Sequence, residues 1–197
     1  MHTIGEAFVH ECAPIKGSRF LCYLAPVNSE EIAKAQLANV RSAHPAASHH
    51  CSAWRIARPR VDRCSDDGEP SGSAGRPMLA RLEGHQVIDV AAVVVRYFGG
   101  TKLGVGGLVR AYGAAVGEAL DRCRKLHHVS TVSARIRHGY EDEAAVVAAL
   151  RAIRTVTVSA EYQAEIERIV VVAAHDAATL DDALRNATSG RLEAVWL

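Results

Sequence analysis

Apolar positions along this chain follow two rhythms, and the pattern is re-set near residues 126–128. Thr3–Glu11 and Arg19–Val27 alternate as strands, separated by the turn-prone stretch Pro14–Gly17. Asn28, with Glu31 three residues later, predicts a helix start, and Ala33, Leu37 and Val40 recur at helical spacing. His44-Pro45 should end that helix, because the residue before proline is driven out of the α region. Ser48–Ala57 reads as a strand with Trp54 and Ile56 on one face. A long polar loop is expected over 58–75, then a short helix over Arg76–Glu83 with Pro77 in its first turn. Val87–Val95 is almost wholly apolar and predicts a strand at the centre of a sheet. A second glycine-rich loop, Phe98–Gly107, should open a helix reaching about Arg124. Gly113 and Gly117 in that helix suggest close approach to a sheet.

Beyond Leu126–His128 the spacing predicts strand Val129–His138, helix Glu141–Ile153, strands Thr155–Tyr162 and Glu165–Ala174, helix Asp176–Ser189 closed by Gly190, and a last strand Arg191–Leu197. The order βαββαβ is that of a ferredoxin-like unit. The expected organisation is therefore α+β, with one domain over 1–127 and a second over 128–197.

Composition narrows the class. Hydrophobic residues make up 49% and charged residues 23%, enough for packed cores and against disorder. The longest aliphatic runs, Val90–Val95 and Ile169–Ala174, are too short to cross a bilayer. Five cysteines without a CxxC pair point to a reduced, cytoplasmic setting rather than a disulfide framework. The first residues lack the basic and apolar regions of a signal peptide, so none is expected. Net charge is +1 but uneven: residues 1–128 hold 16 Lys/Arg against 12 Asp/Glu, and 129–197 hold 7 against 10. A grip on phosphate would belong to the first part.

Two stretches are unusual in composition: Ser65–Pro77 (SDDGEPSGSAGRP) and Val94–Gly113 (VVRYFGGTKLGVGGLVRAYG). With His49-His50-Cys51, Ala53-Trp54 and the early Ser18-Arg19-Phe20, they resemble the signature of the IMPACT/YigZ family, of the bacterial type that carries a small second domain. That resemblance implies a first domain similar to the second domain of ribosomal protein S5, a mixed sheet with helices on one side. It implies a ferredoxin-like second domain similar to the last domain of translocating elongation factors. It also implies a translation-linked role, since eukaryotic members bind a ribosome-associated activator of a kinase that restrains initiation.

The residues themselves offer several chemistries. In the Phe98–Gly107 loop, Gly99, Gly100, Gly104, Gly106 and Gly107 would leave backbone N–H groups bare at a helix start, where the dipole favours an anion. Arg96, Lys102 and Arg110 would add charge, with Tyr97 beside them. The competing reading is tight strand-to-helix packing. The loop is neither a Walker A sequence nor a dinucleotide fingerprint. In the other loop, Asp66, Asp67 and Glu69 could hold a cation or simply build a turn held by nearby arginines, and Ser71, Ser73 and Arg76 follow. Arg55 and Arg58, with Arg60 and Arg63, could track a phosphate backbone or form a solvated rim. His49, His50, Cys51 and Cys64 do not have the spacing of a structural zinc site. No motif marks a catalytic nucleophile, metal or cofactor. The expectation is a binding protein for RNA, the ribosome or a translation-associated protein. The alternatives are an enzyme or sensor for a phosphorylated ligand at the Gly99–Gly107 loop, and a pure protein-interaction module.

Overall fold

The almost uninterrupted apolar run after residue 87 becomes the central strand of a five-stranded sheet. The structure is a computed structural model describing residues 1–197, and its contacts separate two units, Met1–His128 and Val129–Leu197. The first unit contains strands β1 (His2–Ile4), β2 (Phe8–Glu11), β3 (Arg19–Pro26), β4 (His49–Ile56), β5 (Val61–Ser65), β6 (Val90–Tyr97) and β7 (Lys125–His127). Its helices are α1 (Glu30–Ala43), α2 (Gly75–Gly84) and α3 (Val105–Arg122). The main sheet runs β2-β3-β6-β4-β5, while β1 pairs with β7.

Every ladder in that sheet is antiparallel, which corrects the expected mixed sheet. Its helices also lie on both faces. Phe20, Cys22, Leu24, Ala92 and Val94 pack with Met78, Leu82, Tyr112 and Leu120 of α2 and α3. Val93 and Val95 pack instead with Val40 and Leu37 of α1. Alternate side chains of a strand point to opposite faces, so the apolar residues at every position from Val90 to Val95 of β6 require cover on both.

Local chemistry sets the boundaries. Ser29, one residue beyond the expected cap, accepts the Ile32 N–H at 3.3 Å and starts α1. The first predicted strand is split into β1 and β2, and the long 58–75 loop contains β5, which pairs with β4. Gly113 and Gly117 face a helix rather than the sheet: a Cβ on each would meet the Arg81 side chain of α2 at 3.5 and 3.7 Å.

The second unit has β8 (Thr131–His138), α4 (Glu143–Ala152), β9 (Val156–Tyr162), β10 (Ile166–Ala173), α5 (Ala177–Ala187) and β11 (Val195–Trp196). Its antiparallel order β11-β8-β10-β9 is the ferredoxin-like arrangement. Ala134, Ile136, Val170 and Val172 bury against Val146, Leu150, Leu180 and Leu184 of the two helices. The last strand is shorter than the sequence suggests. At the end of α5 the left-handed turn begins at Ser189 (φ 51°) and continues through Gly190, whose N–H bonds to the Arg185 carbonyl at 2.7 Å. No helix of the chain is long and apolar enough to cross a membrane.

Candidate functional site

The two motif loops fold onto the β4 and β6 ends nearest His49 and Arg96, which are register partners. In the acidic loop, Asp66 is a structural anion. Its Oδ1 accepts the N–H groups of Ala74 and Gly75 at 2.9 and 2.8 Å, and its Oδ2 accepts that of Gly72 at 2.7 Å. Burial pushes this carboxyl up, but the Gly72, Gly75 and Ala74 amides, with Arg76, outweigh it and hold it below the usual aspartate value. The start of α2 is therefore filled by the protein's own carboxylate. Asp67 accepts from the His50 amide at 2.6 Å and from Arg41, while its carbonyl bonds His49 Nδ1 at 2.8 Å. Both aspartates thus build the turn through bonds to backbone amides.

Glu69 points inward. Its Oε1 accepts from Arg96 Nη1 at 2.6 Å and from the Tyr112 hydroxyl at 2.7 Å, and His49 Nε2 lies 3.9 Å away. Glu69 is 8% exposed and Arg96 5%. The Arg96 guanidinium sits 5.6 Å from the Phe20 ring centroid and 5.5 Å from that of Phe98. Ser18 Oγ accepts from Arg96 Nη2 at 3.4 Å and from the Gly99 amide at 3.1 Å, so the early Ser18-Arg19-Phe20 element locks the glycine loop to β6. Arg96 is thus neutralised by Glu69 and serves as a floor rather than a loose cation.

Above that floor the glycine loop leads into α3. Gly104 takes the N-cap position at φ 76°, a left-handed conformation that favours glycine, and no side chain caps the helix. The first bond of the helix is Leu108 N–H to the Gly104 carbonyl at 2.9 Å, which leaves the Val105, Gly106 and Gly107 amides ahead of it. Lys102 and Arg110 are exposed beside this end, Arg110 Nη1 lying 3.8 Å from where a Gly106 Cβ would be. Of Val105, Gly106 and Gly107, only Val105 lines the adjacent pocket of about 390 Å³, with His49, Glu69, Pro70, Arg96, Phe98, Lys102, Leu103, Gly104 and Leu108; Gly106, Gly107 and Arg110 stand outside it. Its walls are mainly apolar, with an ion pair at the base and one lysine at the side.

Several sequence candidates lie elsewhere. Arg55 is buried, donating to the Val87 carbonyl at 3.0 Å and to Asp62 at 3.3 Å; it braces the fold. It stands six residues along β4 from His49, roughly 20 Å at strand rise. Arg60 and Arg63 pair with Asp62 and Glu30 at 2.9 and 3.7 Å, the rim reading of that basic run, and Arg58 is exposed in the same β4–β5 connection. Tyr97 projects to the α1 face, where its hydroxyl meets His44 Nδ1 at 2.8 Å. Gly99 is packing, since a Cβ there would fall 1.9 Å from the Gly17 carbonyl carbon. Ser73 is buried and its hydroxyl lacks a partner, while Ser71 and Gly100 are exposed; none of these lines the pocket. Cys51 donates to the Asp66 carbonyl at 3.0 Å, and burial pushes its thiol up to about 12, so it is no activated nucleophile.

Sequence reasoning passed over His49, Leu103 and Leu108 as pocket walls, and Tyr112 and Ser18 as the groups that hold Glu69 and Arg96. For His49 a signal existed in its place on the strand beside the motif; for Tyr112 and Ser18 only three-dimensional contact reveals the role.

A two-unit α+β protein, with an acidic turn and a glycine-rich helix start closing one pocket, is the class these features define. The family model described as "Impact N-terminal domain" matches residues 16–120. The chain is similar to "IMPACT family member YigZ" of Escherichia coli (strain K12), 38% identical over 182 residues that cover 91% of this chain and 89% of that protein. It is similar to "IMPACT family member YvyE" of Bacillus subtilis (strain 168), 44% identical over 137 residues, 67% of this chain and 63% of that one. A solved structure described as "Crystal structure of an hypothetical protein" matches with TM-score 0.80 and 35% identity, covering 100% of this chain and 96% of that chain. The chain belongs to the IMPACT family.

Proposed function

We propose that this protein is a translation-linked binding protein whose first unit holds a phosphate of RNA, on the ribosome or with a translation factor, at the start of α3. One observation carries the reading: the amides of Val105, Gly106 and Gly107 have no side-chain cap and stand beside Lys102 and Arg110, and Lys102, Gly104 and Val105 also line the pocket between the two motif loops. The surplus of basic residues in 1–128 agrees with it. Membership in the family supplies the link to translation, as the sequence resemblance implies.

Binding of a structured RNA to the whole chain, measured at two salt concentrations, tests the reading. Two phosphate contacts should weaken binding about tenfold between roughly 50 and 200 mM salt. The double variant Lys102→Ala/Arg110→Ala should lower the salt slope by about two. An RNA that does not bind at low salt, or binds the double variant equally, sinks this reading.

The pocket favours a second reading. Its apolar walls and side lysine suit a phosphorylated small molecule, with the phosphate on the α3 amides and an apolar or aromatic part against Phe98 and Leu103. At a hundredfold excess over Kd such a ligand would stabilise the fold by about 2.7 kcal/mol. A nucleotide panel that leaves the thermal midpoint unmoved removes this alternative.

A further inference from the structure

We propose that His10, Cys12 and Glu118 form a site for a zinc-like divalent cation where β2 packs on α3. The site is separate from the pocket and does not depend on the reading above. His10 and Cys12 are two residues apart in extended chain, and the Cys12 N–H continues the pairing with the Phe20 carbonyl at 3.0 Å. Both side chains therefore leave the same face of the strand. Glu118 comes from α3, 108 residues from His10 in sequence, and its Oε2 lies 3.0 Å from His10 Nε2. The imidazole nitrogen, the thiol sulfur and the carboxylate oxygen all lie within 4.8 Å of one another.

A hydrogen bond between His10 and Glu118 accounts for two members of this trio. Cys12 belongs to the buried apolar cluster of the first unit, and its sulfur stands at the margin of that cluster beside both polar groups. A tetrahedral Zn²⁺ with bonds near 2.0–2.3 Å separates its ligands by roughly 3.3–3.8 Å, a spacing these atoms reach by small side-chain rotations. One nitrogen, one sulfur and one oxygen donor suit zinc and exclude calcium or magnesium, which take oxygen alone. Cys12 is 6% exposed, but the His10 and Glu118 side chains are 17% and 43% exposed, so a cation can arrive from solvent and keep a water as fourth ligand. Arg122 Nη1 donates to the Glu118 carbonyl at 3.0 Å and lies 3.5 Å from Glu118 Oε2; the cation would take that oxygen from it. Because β2 is an edge strand of the sheet, a bound ion would staple that edge to α3.

The test uses the full chain, stripped by a chelator and then titrated with Zn²⁺ by calorimetry and with Co²⁺ by absorption. One equivalent should bind, with the thiolate-to-cobalt charge-transfer band and the visible bands of a four-coordinate ion. Cys12→Ser should abolish the charge-transfer band, and Glu118→Ala should weaken Zn²⁺ at least about tenfold. Cys64→Ser, a change at an exposed thiol outside the trio, should leave both intact. The proposal is overturned if no charge-transfer band appears, or if the band survives Cys12→Ser. Should Cys12→Ser fail to fold, Glu118→Ala decides alone, since its half-exposed side chain is dispensable for the core: unchanged Zn²⁺ affinity overturns the site.

Discussion

At the scale of single residues, the buried pair Glu69–Arg96 is the costliest feature of the pocket to disturb. Removing one charge leaves the other buried without its partner, so Arg96→Ala should lose about 3 kcal/mol in urea unfolding. Tyr112→Phe removes one of two hydrogen bonds to Glu69 and should lose only about 1 kcal/mol. The contrast between these two variants separates the ion pair from the hydrogen bond. The cysteines provide a second check at this scale. Cys51 and Cys22 are buried, and burial pushes both thiols up, whereas Cys64 is exposed. A thiol reagent on the native protein should modify Cys64 first and reach Cys51 and Cys22 only on unfolding.

At the scale of elements, α2 and α3 handle their first amides in opposite ways. Asp66 closes the start of α2 with two N–H bonds and the loop before it with a third, and nothing of the kind closes α3. Asp66→Ala should therefore cost about 2 kcal/mol of stability, like the loss of a strong cap. Because the folded carboxyl lies below the unfolded value of 3.8, its contribution is present above that pH and is lost as pH falls through the lower, folded value. Urea midpoints measured from pH 7 to pH 3 should fall for the native chain and fall less steeply for Asp66→Asn. The same contrast explains why the acidic stretch is a turn while the glycine stretch keeps amides available: the former carries its own anion, and the latter has none near enough.

For the whole molecule, the uneven charge puts the surplus of basic residues in the first unit. If RNA phosphate is the partner, the chain should co-sediment with ribosomes at low salt and leave them at about 0.5 M, because screening shortens the reach of its surface cations. Retention at high salt would point to an apolar protein contact instead.

Much of this architecture was written in local pattern. The unbroken apolar run ending at Val95 marked a strand at the centre of a sheet, though not the helices on both of its faces; the βαββαβ order marked the second unit, and the two odd motifs marked the family. These features depend on period, composition and turn chemistry, which neighbouring residues determine among themselves. The pocket depended on contacts between distant segments. Alternation along β6 sent Arg96 to Glu69 and Tyr97 to His44 on the opposite face. Sheet order brought Ser18 under Gly99, and α3 brought Tyr112 over Glu69 and Glu118 beside His10. Which arginine is consumed by the fold and which remains at the surface is a matter of long-range pairing, and one-dimensional spacing does not encode it.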